Sequence, residues 1–112
     1  MYKTQLSAKI ITLFPELFPG PLSASVTGRA LENKLWSLET IDLKKYGKGR
    51  HKKVDGKPIS GGPGMILMPD VLDEAILKAN SLISGKNNLI VCMSPKGIPL
   101  NQNLVKNMVQ HN

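Results

Sequence analysis

Short, nearly continuous apolar runs alternate along this chain with one long amphipathic stripe. Ile10-Ile11-Thr12-Leu13-Phe14 is apolar and rich in β-branched residues, the pattern of a strand covered on both faces. Pro15, Pro19, Gly20 and Pro21 then break the chain into a loop or short helical turns. Thr27 reads as the N-cap of a helix from Gly28 to about Trp36, with Leu31 and Leu35 one turn apart on its buried side. Apolar positions 36, 38, 41 and 43 alternate with one change of phase and predict a strand. From Lys44 to Gly64 no apolar period survives, so this stretch reads as one long loop, a type that is functional or disordered when it interrupts a compact domain.

The clearest helix follows. Pro69 opens it near its first position, and Asp70, Asp73 and Glu74 place negative charge at the positive end of its dipole. Val71, Leu72, Ala75, Ile76, Ala79, Leu82 and Ile83 recur at helical spacing, and Gly85 suits a left-handed stop. Asn88 to Met93 reads as a second buried strand, closed by the turn Ser94-Pro95-Lys96-Gly97. Asn101 caps a last helix, with Leu100 and Val105 placed as a hydrophobic staple. Strand, helix, strand, helix predicts an α/β fold: a parallel sheet with helices on its faces. Strands near 9–14 and 88–93 are expected side by side, with the helix near 70–84 packed on them. No internal repeat or low-complexity tract interrupts the chain.

Charge sharpens this picture. The net charge of +7 is concentrated in one place: Lys44, Lys45, Lys48, Arg50, Lys52, Lys53 and Lys57 face only Asp55, which leaves +6 in that segment and +1 elsewhere. A solvated loop is the plain reading, but such concentration favours an anionic partner, nucleic acid before membrane surface. No aromatic-rich amphipathic stretch supports a membrane surface, and no apolar run approaches the ~20 residues that span a bilayer. One cysteine excludes an internal disulfide and fits a reducing compartment; Cys92, inside Leu89–Met93, reads as a buried, inert thiol. Met1 to Ala8 lacks a signal-peptide core, so the expected location is cytoplasmic.

Candidate chemistry lies in two loops. Ser60-Gly61-Gly62-Pro63-Gly64-Met65 has a bare backbone that a ligand could approach closely. It lacks the Lys and Ser/Thr of a phosphate-binding P-loop, and no G-x-G-x-x-G opens a helix, which argues against nucleotide hydrolysis. Taken alone, the run serves a tight structural turn as readily as a ligand loop. Ser94-Pro95-Lys96-Gly97 is the second, since ligands of open α/β sheets bind at strand ends. His51 and His111 lie far apart without ligand spacing to Cys92, so no metal site is expected. His51 reads first as a solvated side chain and next as a phosphate or base contact. Asp55 suits neutralisation of its cationic neighbours or a turn as well as any direct part in function.

These residues, taken in order, resemble the bacterial tRNA (guanine-N1)-methyltransferases of the SPOUT class. The resemblance runs from Lys9 onward through Leu13-Phe14-Pro15-Glu16-Leu17-Phe18, Val26-Thr27-Gly28-Arg29-Ala30 and Arg50-His51-Lys52-Lys53-Val54-Asp55 with Pro58. It continues through Gly61-Gly62-Pro63-Gly64-Met65 and Ser94-Pro95-Lys96-Gly97. Each motif is weak, but five in the family's order and spacing are specific. Ser60 departs from the family's usual glycine and Lys96 from a common glutamine.

The resemblance implies a deep trefoil-knot fold, a homodimer, S-adenosylmethionine as methyl donor, and tRNA as substrate, methylated on N1 of the guanine 3′ of the anticodon (position 37). It implies cofactor contacts at Met93, Ser94, Pro95, Gly62, Pro63 and Gly64, and RNA contacts at Arg29, Lys48, Arg50, His51, Lys52, Lys53 and Asp55. Mg²⁺ is implied only for activity of the full-length family. Residues 1–112 would be the N-terminal part of the methyltransferase domain, with a basic loop at about 44–60. The family's general-base aspartate, its Gly-Arg-Tyr-Glu-Gly segment, the glycine-rich loop that closes the knot, and its C-terminal RNA-binding domain are expected beyond Asn112. On this reading no catalytic residue lies in the chain and the knot is incomplete. Two alternatives are a non-catalytic RNA-binding module and a fragment that needs a complementing chain.

Overall fold

A computed structural model describes residues 6–83, 85 and 87–111. Strand β1 (Leu6–Thr12) lies parallel to β2 (Trp36–Asp42), in register from Leu6 opposite Trp36 to Thr12 opposite Asp42. Lys9 and Glu39 face each other across the pair and join at 2.8 Å. A parallel pair requires a crossover. Two short 3₁₀ turns, Pro15–Leu17 and Gly20–Ser23, followed by helix α1 (Ser25–Glu32), supply it.

Helix α1 starts earlier and stops sooner than the apolar spacing predicts. The Ala24 carbonyl accepts from the Gly28 amide at 3.1 Å and from the Thr27 hydroxyl at 3.0 Å, so Thr27 lies inside the first turn and Ala24 is the N-cap. At the other end Lys34 N–H donates to Leu31 O at 3.0 Å and Leu35 N–H to Ala30 O at 2.9 Å. These two bonds form a Schellman stop, with Lys34 in the left-handed region at φ 59°. The Trp36 indole then donates to Thr27 O at 3.0 Å, seating the start of β2 against α1.

After β2, the Asp42 carboxylate accepts the Lys44 amide at 3.0 Å and starts a 3₁₀ turn, Leu43–Tyr46. The stretch from Lys44 to Gly64, expected as one long loop, contains β3 (Asp55–Gly56), which pairs antiparallel with β4 (Ile66–Leu67) just beyond it. Helix α2 (Pro69–Ser81) follows, opened by Pro69 and with Asp70 in its first turn. It ends in the ordinary helical conformation at Leu82, short of Gly85. Helix α3 (Gln102–Met108) is capped as its sequence predicts, the Asn101 side chain accepting the Leu104 amide at 2.9 Å. The staple does not close, because Leu100 stays 71% exposed.

The core is slim. Ile41 and Leu43, at the end of β2, meet Val71, Ala75 and Ala79 on one face of α2, flanked by Ile11, Leu13, Tyr46, Val54, Met68 and Leu72. The buried stripe of α2 therefore runs through 71, 75 and 79, with Leu82 exposed and Ile76 only half-buried. Small alanines at 75 and 79 let the helix lie close over the strand ends.

The expected strand at 88–93 is a correction. This segment forms no ladder among the described residues; β1 takes β2 as its partner instead. Leu89, Ile90, Val91 and Met93 are 46%, 66%, 52% and 89% exposed, and Cys92, expected to be buried, is exposed with them. A continuous apolar run signals that a segment needs covering on both faces, and says nothing of which element covers it. Here β1 and β2 are joined by a local crossover, and no described strand lies beside 88–93.

Candidate functional site

Two loops leave a single stem. Val54 O accepts the Met68 amide at 2.7 Å, and beyond it Asp55 and Gly56 pair with Leu67 and Ile66. Met68 is also the N-cap of α2, its carbonyl accepting the Leu72 amide at 3.1 Å. The stem therefore grows directly out of the best-packed helix. On one side it carries the basic residues 48–53, and on the other it encloses the glycine-rich residues 57–65.

The basic residues form a hairpin. Lys48 and Lys53 exchange both backbone bonds, at 2.8 and 2.9 Å, and Lys52 N–H donates to Gly49 O at 3.3 Å within the turn. Gly47 makes this closure possible, since a Cβ there would stand 2.3 Å from Lys52 O, inside any real contact. Arg50, His51 and Lys52 are exposed around the tip, and Lys53 is exposed at the neck. Lys48, at the neck, is half-buried and reaches Glu74 Oε1 on α2 at 2.6 Å. That hydrogen bond, reinforced by the charges of Glu74 and Asp70, raises the Lys48 ammonium above its ordinary 10.5. Lys44 lies 5.5 Å over the ring of Phe14, a cation–π contact that ties the start of the basic segment to the loop after β1.

The glycine-rich loop turns through Gly61 N–H donating to Pro58 O at 3.0 Å, with Gly61 and Gly64 at φ 76° and 86°, where glycine is the low-strain choice. Gly62 needs neither: a Cβ there would meet only Ser60 Oγ, at 3.8 Å. The Ser94 turn forms as expected, with Gly97 N–H donating to Ser94 O at 3.0 Å and Lys96 N–H to Ser94 Oγ at 3.2 Å. Gly62, Pro63, Gly64, Met93, Ser94 and Pro95 are all exposed, and no hydrogen bond joins the two groups among the described residues.

The structure thus gathers Lys48, Arg50, His51, Lys52 and Lys53 on one hairpin and puts Asp55 in its stem. Arg29 stands apart on α1, lining a shallow open depression of about 290 Å³ with Val26, Ala30, Asn33 and Leu35. Among the described residues no group of three or more His, Cys, Asp or Glu is placed to hold a metal ion. No described helix is long and apolar enough to cross a membrane. Sequence reasoning missed Glu74 and Gly47. Gly47 and Gly49, on either side of Lys48 at the start of the cationic run, were a turn signal, whereas a glutamate on α2 gives no hint of a partner 26 residues away.

Comparison with known proteins decides what this scaffold is. Residues 6–112 match the family model of tRNA (guanine-1)-methyltransferase TrmD. The chain belongs to that family. A tRNA (guanine-N(1)-)-methyltransferase of Ehrlichia canis is 48% identical over 99 residues, which cover 88% of this chain and 41% of the relative. One from Ruegeria pomeroyi is 46% identical over 103 residues, 92% of this chain and 42% of the relative. The chain spans about two-fifths of the length of these curated relatives. The crystal structure of the tRNA (m1G37) methyltransferase from Aquifex aeolicus superimposes with a TM-score of 0.76 at 27% identity, over 92% of this chain and 45% of that one. The α/β architecture with its parallel sheet is therefore that of the methyltransferase family.

Proposed function

We propose that this chain supplies the N-terminal part of an S-adenosylmethionine-dependent methyltransferase that modifies N1 of the guanine 3′ of the anticodon, position 37. The observation that carries the reading is the shared stem. It joins an exposed cationic hairpin at its α2 end to an exposed glycine-rich loop at its other end, so a phosphate backbone bound by one lies a short stem away from the other. Arg50, His51, Lys52 and Lys53 then face RNA, with Asp55 at the base of the hairpin and Arg29 and Lys48 as further cations of the surface. Gly62-Pro63-Gly64 and Met93-Ser94-Pro95 offer backbone to the cofactor, which when bound supplies the methyl group. The chain's own residues position the two reactants, which accounts for much of the barrier lowering in a group transfer.

Both candidate cofactor segments are open to solvent, with Met93 89% exposed. Small-molecule sites bury about 70–90% of their ligand. The 112-residue chain alone is therefore expected to bind S-adenosylmethionine weakly and to transfer no methyl group. Calorimetry with the cofactor checks the first point, and micromolar affinity would contradict it. A chimera checks the function: residues 6–112 replace the matched segment of the Ehrlichia canis relative, and labelled methyl incorporation is followed into tRNA with guanine or adenine at position 37. Incorporation that requires the guanine is expected. An inactive but folded chimera, beside an active parent, would overturn the assignment.

A further inference from the structure

We propose that Lys48 is a strut rather than a phosphate ligand: its ion pair with Glu74 pins the basic hairpin to α2 and fixes the direction in which Arg50, Lys52 and Lys53 face nucleic acid. The proposal rests on the reading of the hairpin as an RNA-facing surface and assigns Lys48 a positioning role within it.

Placement separates Lys48 from its neighbours. It sits at the neck of the hairpin opposite Lys53, to which it is bonded through its backbone, while Arg50, His51 and Lys52 ring the tip. Its side chain is 41% exposed and ends 2.6 Å from Glu74 Oε1. Glu74 lies one turn beyond Asp70 on the same acidic end of α2, so moving the Lys48 ammonium onto an RNA phosphate would exchange one anion for another and leave Glu74 unpaired. Its neighbours have no such partner: Arg50, His51 and Lys52 at the tip and Lys53 at the neck form no hydrogen bond or ion pair through their side chains among the described residues.

The hairpin also needs a strut. Its neck is closed by two backbone bonds, and its turn forces Lys52 into the left-handed region at φ 52°. Four cations within six residues repel one another, and Glu74 neutralises the one nearest the scaffold. Without that contact the hairpin could still close, but it would swing on its stem and spread its cations over many directions.

Amide hydrogen exchange of the free protein reads the strut without any RNA. Lys48→Gln and Glu74→Gln should each speed exchange at the Lys48 and Lys53 amides by about two- to fivefold, the range of an exposed ion pair. The double swap Lys48→Glu with Glu74→Lys should restore protection. Binding of unmodified tRNA transcript reads the consequence. Lys48→Gln should weaken binding with its salt slope nearly unchanged, and the swap should recover affinity, whereas Lys53→Ala should lower the slope by about one. Unchanged exchange in both single variants, or a slope lowered by about one in Lys48→Gln with no recovery in the swap, would overturn the strut. A wild-type chain that protects these amides yet binds no tRNA would instead overturn the RNA reading and leave the strut standing.

Discussion

Lys34 shows how one side chain can be wrong for its backbone and still be tolerated. The Schellman stop of α1 requires a left-handed residue between Asn33 and Leu35, and glycine is the residue that adopts it without strain. Lysine there costs about 1–2 kcal/mol in backbone terms, and glycine would return part of that because its own unfolded chain is more disordered. Lys34→Gly should therefore raise stability by about 0.5–1 kcal/mol in urea unfolding. A loss of stability would show that the lysine side chain contributes more than its backbone costs. Lys48 illustrates the electrostatic counterpart. A lysine raised above its ordinary value makes its full contribution below that ordinary value and loses it as pH climbs through the raised value.

At the scale of elements, the feature that sets this chain apart is an apolar segment with nothing on it. Residues 88–93 join no ladder among the described elements, and Ile98 and Leu100 continue the exposed apolar surface at 80% and 71%. An uncovered β-branched apolar segment of this kind can pair with another chain. The 112-residue chain should accordingly self-associate as its concentration rises, and Ile90→Lys should suppress this without lowering the unfolding midpoint, because Ile90 is 66% exposed and supports no core. Sedimentation at several concentrations checks it; equal association by both proteins would remove the segment from the contact. By contrast, the starts of α2 and α3 were legible in the sequence, although α2 ends at Ser81 rather than near 84. Their period, opening proline and Asn101 cap are local signals, and local hydrogen bonds satisfy them.

The whole molecule is more open than its length requires. Its radius of gyration is 16.3 Å, where a compact domain of this length has about 13 Å. Its surface is 9134 Å², against about 6,000 Å² for a compact monomer of 12.2 kDa. Among the described residues, five hydrophobic side chains make the buried core, all where α2 meets the end of β2. The stem of the hairpin and glycine-rich loop starts from that same junction, so the proposed binding surface stands on the best-packed part of the fold. Most of the chain's excess charge stands there too. If Lys52 and Lys53 each neutralise a phosphate, replacing both by alanine should flatten the log–log salt dependence of tRNA binding by about two. A slope that does not move would take the hairpin out of the interface.

What the sequence determined by itself was of two kinds. Local chemistry set the helices, the turn at Ser94 and the concentration of cation between 44 and 57, because each depends on neighbours within a turn or two of chain. The ordered motifs from Leu13 to Gly97 also sufficed for the family, since spacing along a chain is a property of sequence alone. Tertiary structure alone decided the rest. It paired β1 with β2 rather than with 88–93, a choice that depends on which strand is delivered alongside and not on apolar content. It folded the basic run into a hairpin held by Gly47 and Glu74, because a bare backbone and a distant carboxylate acquire meaning only when another segment arrives against them.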